Sequence, residues 1–359
     1  MNRLVGIGVV LAAVSVAGAT AASACAICLS AVSVSAAKQI DKTDRAVLAV
    51  PEGAGFRVVA LVKGGGAPGE FIPLAGLVPT PPTPPAGQAL FLLHNAFAVN
   101  WKSIGATRPE SAAWLREIAA TAPPDPDAVQ DILAGDTVAE RLKLSVQRLE
   151  DPDPMVARIA HDEIARAPYA ALFGIAGQLD VKALRAWIAA PGDATRRSTY
   201  ILLLGIAGGF VDADAIEAEL DAARAAQSAT DVSALLAADL ELRGPDRLEW
   251  VEHVYLADPT RTLPEIEAAL LALSVQGGAD TTIGRERVVE TYRRFIRARP
   301  AMAGFVATDL AAWKAWQASG DYAALIKAKA VSDPAEEFAI ISYLQESPDP
   351  EAKAVLARD

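Results

Sequence analysis

Residue types with common catalytic uses are scarce in this chain of 359 residues, which has two cysteines and three histidines. The histidines, His94, His161 and His253, are widely separated, and none has a second histidine four positions away. P-loop, GxSxG and HExxH patterns are absent, and the glycines after Lys63 are too short a run to predict a phosphate site. The sequence therefore points to no catalytic set and to no cofactor.

Basic and aromatic residues are also in short supply. Lys and Arg total 33 against 44 Asp and Glu, which gives a formal net charge of −11, and aromatic residues make up 6%. A negative net charge argues against DNA or RNA as a partner. An apolar fraction of 52% with so few aromatic rings favours closely packed helices over sheet sandwiches.

No charged residue occurs from Leu4 to Ala37, and Arg3 precedes this run. One basic residue, a short apolar core and the small residues of Ala22-Ser23-Ala24 are typical of a signal peptide over residues 1–24. Two alternatives stay open: an uncleaved membrane helix, and a lipid attached to Cys25. In each case we expect the bulk of the protein to be periplasmic or secreted, or lipid-anchored to a membrane.

The only two cysteines, Cys25 and Cys28, lie in the stretch ASACAIC. In an oxidising compartment they have only each other as partners, so a small disulfide loop is the main prediction. A redox pair would need a βαβ frame, and the sequence that follows does not predict one. A metal site would need ligands beyond the two thiolates. Thiol redox or metal handling therefore remains the alternative.

Short apolar or β-branched runs separated by Gly and Pro predict a small β-rich domain over residues 25–105. The runs are AVLAV, GFRVVALVKGGG, EFIPLAGLV and ALFLLHNAFAV. The segment PTPPTPP, residues 79–85, predicts an extended connector between two of them.

The same segment resembles the first part of netrin-like modules, which are OB-type barrels. The likeness rests on a cysteine at the expected mature N-terminus, on TDRAVLAV and on FRVVALVKGG. It implies an OB-like fold. The protease inhibition known in some netrin-like proteins is not implied, because the distant cysteines that those modules pair with are missing here.

Helical patterns occupy residues 106–359. Thr107-Arg108-Pro109-Glu110 has the form of a capping box that opens SAAWLREIAA. In LEDPDPMVARIAHDEIARAP, a helix beginning at Asp153 places Val156, Ala160 and Ile164 on one side. Arg158, Asp162 and Arg166 then fall on the opposite side.

This last segment resembles the second helix of a HEAT repeat. Similar turn and helix segments recur with a period near 40 over about residues 125–357. The resemblance implies that the helical domain, residues 106–359, is an all-α, right-handed α-solenoid.

One basic cluster occurs in RERVVETYRRFIRAR, where a helix brings Arg293, Arg294 and Arg297 together. These guanidinium groups are candidates for contact with an anion or an acidic partner. Glu290 lies three and four positions before Arg293 and Arg294, so pairing within the helix is the competing interpretation.

Together these patterns predict an exported, non-catalytic scaffold or adaptor that binds a protein partner through its helical repeat surface. The alternatives are a thiol redox or metal-handling protein that uses Cys25 and Cys28, and a membrane-anchored structural protein of the cell envelope. Membrane contact is expected only through the signal segment or a lipid on Cys25.

Overall fold

The computed structural model describes residues 34–123, 137–190, 192 and 194–356. The expected signal peptide, with Cys25 and Cys28, lies outside these residues. Within them the chain forms one short helix, a small antiparallel sheet and then a long series of helices. A β-rich part followed by a mostly helical part was predicted, and this coarse order is confirmed.

Five strands form the sheet: β1 Arg45–Glu52, β2 Gly55–Lys63, β3 Phe71–Pro73, β4 Ala89–His94 and β5 Lys102–Thr107. Their spatial order is β3-β2-β1-β4-β5, and every neighbouring pair is antiparallel. A parallel bridge between Leu77 and Trp101 also joins the segment after β3 to the residue before β5. The two edges of the sheet thus meet at this point.

Both faces of strand β4 are buried, which explains why ALFLLH contains no alternating polar residue. Leu90 and Leu92 belong to a small cluster with residues of the other strands. Ala89, Phe91 and Leu93 point the opposite way and belong to the large core that also contains the helices. The sheet therefore has its own inner cluster on one face and packs against helices on the other.

The described residues contain sixteen α-helices: α1 Ala36–Lys42, α2 Ala112–Ala120, α3 Val138–Val146, α4 Pro154–Arg166, α5 Tyr169–Leu172, α6 Val181–Ala189, α7 Ala194–Ala207, α8 Phe210–Ala225, α9 Val232–Arg243, α10 Arg247–Val251, α11 Leu263–Ala279, α12 Arg285–Ala298, α13 Ala307–Ala312, α14 Ser319–Ala328, α15 Pro334–Glu346 and α16 Pro350–Leu356. A π-helical turn, Glu252–Ala257, continues α10. Short 3₁₀ turns cover Leu74–Gly76, Pro109–Ser111, Phe173–Gln178, Pro300–Val306 and Trp316–Ala318. None of these described helices is long and apolar enough to cross a membrane.

Neighbouring helices pack in pairs, and some pairs contact the next. α3 packs on α4, α6 on α7, and α8 on α9. In addition α7 contacts α9, and α9 contacts α11, so these three helices lie side by side.

The predicted capping box at Thr107 is wrong. Thr107 ends strand β5, and α2 begins only at Ala112, after a 3₁₀ turn. The Thr107 hydroxyl instead donates a 2.6 Å hydrogen bond to Oδ2 of Asp153. Oδ1 of Asp153 accepts from the backbone N–H of Met155, so its predicted role as the N-cap of α4 is confirmed.

The predicted apolar side of α4 is confirmed, because Val156, Ala160 and Ile164 are buried. The assignment of Arg166 to a side facing away from the core is wrong. Helix α1 packs against α4 on that side, and the Arg166 side chain is only 2% exposed. The sequence analysis did not predict α1.

Candidate functional site

The three arginines singled out in the sequence lie on one face of α12, and each is bound to carboxylates. Arg293 Nε lies 2.9 Å from Asp321 Oδ2, and Arg297 Nη1 lies 3.1 Å from Asp321 Oδ1. Arg294 reaches Glu252 with two nitrogens, Nε at 2.7 Å and Nη2 at 2.5 Å. Because Asp321 is in α14 and Glu252 begins the π-helical turn, these arginines tie α12 to its neighbours on both sides.

Glu290, on the same helix, completes the cluster. Arg293 Nη1 and Arg294 Nη1 are each 3.3 Å from a Glu290 carboxylate oxygen, and Arg297 Nη2 is 3.9 Å away. Three guanidinium groups thus share the three carboxylates of Glu252, Glu290 and Asp321.

The ion pairs also change the pKa values of the arginines. Hydrogen bonding to Asp321 raises the pKa of Arg293, and hydrogen bonding to Glu252 raises the pKa of Arg294. Stabilised ion pairs of this kind leave little excess positive potential at the cluster. Its arrangement suits a link between helices better than an open anion site.

A groove of about 620 Å³ lies directly beside this cluster. Its lining residues are Pro245, Asp246, Leu248, Glu249, Glu252, Arg287, Glu290 and Arg294. Four carboxylates therefore face two guanidinium groups. Asp246 and Glu249 are exposed at the groove, and Asp246 Oδ1 is 4.0 Å from Arg287 Nη2. The groove is acidic and open, which suits a basic side chain or segment.

A second charged cluster is fully buried and was not foreseen from the sequence. Asp41 of α1 lies between Arg141 of α3 and Arg166 of α4, with N–O distances of 2.8 and 2.7 Å. Glu163 of α4 binds the same two arginines, at 2.5 Å from Arg141 and 3.1 Å from Arg166. We call these four residues the buried quartet.

The buried quartet has two positive and two negative side chains. The backbone also participates, since Arg141 Nη1 donates to the Thr121 carbonyl at 3.0 Å. Burial raises the pKa of Glu163, while Glu163 and Asp41 together raise the pKa of Arg141 against the effect of its own burial. Charge balance and enclosure indicate that the quartet holds α1 to the helices rather than acting on a ligand.

The three histidines are not brought together. His161 Nε2 lies 2.9 Å from the hydroxyl of Tyr200, which in turn donates to Glu150. His94 packs on Trp101, with ring centroids 4.9 Å apart, and His253 is exposed on the π-helical turn. The described residues include no group of three or more His, Cys, Asp or Glu placed to hold a metal ion.

The sequence pattern gave the arginines of α12 but not their most important partners. Glu252 and Asp321 are 42 and 28 positions away from the arginines they bind, and no local motif marks them. Cys25 and Cys28 lie outside the described residues. The chain matches no protein-family model, no curated protein and no solved structure in the comparisons made.

Proposed function

We propose that this protein is an exported, non-catalytic scaffold that binds a protein partner through its helical surface. The observation that carries the proposal is the open acidic groove beside α12. Arg294 and Glu252 form two hydrogen bonds along its wall, while Asp246 and Glu249 face solvent at its rim.

The helices are proposed to form a HEAT-like right-handed solenoid. Helices α4, α7 and α9 begin at Pro154, Ala194 and Val232, which are 40 and 38 positions apart. Each packs against the helix that precedes it in the pairs described above, and α7, α9 and α11 lie side by side. This spacing and neighbour order support stacked two-helix repeats.

The sheet is proposed to be an OB-type barrel. Strand order β3-β2-β1-β4-β5, with the parallel Leu77–Trp101 bridge, supports a ring closed between the segments after β3 and before β5. The inner cluster of Val47, Leu90 and their neighbours would be the barrel interior.

The groove selects the chemistry of the partner. Four carboxylates against two guanidinium groups give it the same sign as the chain, whose net charge is −11. A partner segment rich in Lys or Arg would be attracted to this groove by its negative charge. One of its basic side chains would replace Arg287 as the partner of Asp246 at the rim. The proposed occupant is therefore a basic segment of another extracytoplasmic protein.

Site-specific photocrosslinking in the native envelope tests this proposal. A photoreactive amino acid at Glu249 would be compared with one at Glu351, which is exposed on α16. We expect a discrete adduct at position 249 that is lost in the Asp246→Lys variant and weakens at high salt. An identical adduct at position 351, or none at 249, would count against the groove as the binding surface.

A further inference from the structure

The turn between β4 and β5 carries the most exposed large apolar side chains among the described residues. Phe97 and Val99 are 103% and 92% exposed, and every residue from Asn95 to Asn100 is exposed. The turn, NAFAVN, contains no charged residue. Exposed apolar patches are typical of surfaces that bind a protein, a membrane or a ligand.

Hydrogen bonds fix this turn in place. Ala96 N donates to Asp44 Oδ2 at 2.6 Å, and Ala98 N donates to the Asn95 carbonyl at 2.9 Å. At the other end Trp101 N donates to the Gly76 carbonyl at 2.7 Å. The backbone is therefore anchored on both sides, and Phe97 and Val99 stay outside the core.

The same end of the molecule receives the chain from its N-terminal segment. Lys102 Nζ donates to Gln39 Oε1 at 2.8 Å, and Gln39 Nε2 donates to the Val34 carbonyl at 3.2 Å. Val34 is itself 58% exposed. Gln39 therefore links the first described residue, Val34, to Lys102, which lies two positions after the end of the turn.

The sequence before Val34 is uncharged back to Leu4. The expected mature chain thus has nine uncharged residues, 25–33, before Val34, and Gln39 links Val34 to Lys102 beside the turn. Directly after the turn, the partly exposed Trp101 packs against the inner cluster of the sheet, and Lys102 is exposed. Apolar tips, an indole at their base and a flanking cation are the groups that insert into, or sit at, the surface of an anionic bilayer.

We propose that this end of the protein is a membrane-contact face, in which Phe97 and Val99 insert into the outer part of a lipid bilayer. The contact goes beyond an anchor in the first residues, because it fixes how the folded part is oriented. The β4–β5 turn lies on the lipid, with α1 beside it.

Fluorescence on the mature chain, which is expected to begin at Cys25, tests the contact locally. An environment-sensitive fluorescent amino acid would replace Ala98, between the two apolar side chains, and a control would carry it at Val211. Val211 and Phe210 form another exposed apolar pair, at the start of α8. Vesicles would contain phosphatidylcholine and phosphatidylglycerol, with bromine on the acyl chains as a quencher.

We expect vesicles to shift the emission at position 98 to the blue and to quench it, with no change at position 211. The Phe97→Ser/Val99→Ser double variant should lower the vesicle partition coefficient about tenfold, since two partly buried apolar side chains are lost. Its far-ultraviolet circular dichroism should match that of the wild type, because both side chains lie outside the core.

Three results would overturn the proposal. The first is a probe at position 98 that stays in water, whether or not the chain binds vesicles. The second is an unchanged partition coefficient in the double variant. The third is a blue shift that grows with protein concentration in the absence of lipid, which would assign the turn to contact with a second copy of the chain.

Discussion

Asp41 and Arg166 are 125 positions apart in the chain, yet Arg166 Nη2 donates a 2.7 Å hydrogen bond to Asp41 Oδ2 in the protein interior. Asp41 is the second-last residue of the short helix α1, and Arg166 is the last residue of α4. The same carboxylate also binds Arg141. The buried quartet therefore fixes the start of the described chain to α3 and α4.

Removing Asp41 should destabilise the whole fold. In Asp41→Ala the carboxylate is lost, and Arg141 and Arg166 are left with one buried counter-charge, Glu163. Leaving a buried charge uncompensated costs about 3 to 5 kcal/mol. Urea unfolding followed by circular dichroism would measure the loss in the free energy of unfolding.

The matched control for this variant is Glu52→Gln, which breaks the exposed pair between Glu52 and Arg57. Solvent screens that pair, so no measurable change in unfolding is expected. A stability for Asp41→Ala equal to that of the control would show that the buried quartet does not hold the fold together.

The parts of the fold that depend on residues close together in the sequence could be predicted. The apolar runs at β1, β2 and β4 marked strands, and Asp153 followed by Pro154 marked a helix start. Each signal lies within a few residues of the element that it predicts. Helix α1 was missed because its buried polar residues, Lys38 and Asp41, give it no amphipathic pattern.

The candidate site also has a part that the sequence predicted and a part that it did not. Arg293, Arg294 and Arg297 were found because helical spacing brings them to one face. The acidic groove beside them was not found, because Asp246 and Glu249 reach it from a different helix hairpin. The charge of a surface depends on residues that only the tertiary structure brings together. The three arginines of α12 form a basic cluster in the sequence, but in the folded protein three carboxylates balance their charge.

Close packing between α7 and α9 gives a second prediction. A Cβ on Gly205 would lie 2.7 Å from the Ala238 Cα and 2.8 Å from its Cβ. Helix α7 runs through Gly205 to Ala207, and the missing side chain at this position leaves room for α9. Gly205→Ala should therefore push the helices apart and cost about 1 to 3 kcal/mol.

Gly278 in α11 is the control for Gly205, because a Cβ there meets nothing within 4 Å. Gly278→Ala should stabilise the protein by about 0.5 to 1 kcal/mol through helix propensity. Thermal unfolding of the two variants would compare them. Equal shifts in melting temperature would mean that the α7–α9 contact does not limit residue size at position 205.

The state of Cys25 and Cys28 can be measured directly, and it tests the disulfide against the lipid-anchored alternative. We expect intact mass spectrometry of the protein from its native envelope to show a chain that begins at Cys25. When the protein is treated with an alkylating reagent, it should gain two alkyl groups only after reduction, because the thiols of a disulfide are not free to react. A lipid-sized increment on Cys25 would support the anchored alternative, and free thiols before reduction would exclude the disulfide.

Asp162 makes the attachment of α1 sensitive to pH. Its Oδ2 accepts hydrogen bonds from the backbone N–H groups of Ala36 and Ala37, at 2.8 and 3.3 Å, and so caps the start of α1 from α4. Burial raises the pKa of Asp162 to about 6, against the opposing effect of these hydrogen bonds. Because the raised pKa means that the folded state keeps its proton longer than the unfolded state does, this group's contribution to stability falls as pH rises from about 4 to about 6.

Asp162→Asn keeps an oxygen that can cap α1 but removes the titration. Relative to this variant, the wild type should lose up to about 3 kcal/mol of unfolding free energy between pH 4 and pH 7, the equivalent of a shift of about two pKa units. Urea midpoints of both proteins across this range give the difference directly, and other carboxylates cancel because the two chains share them. Parallel curves would mean that Asp162 ionises equally easily in the folded and unfolded states, and that its link to Ala36 and Ala37 carries no pH dependence.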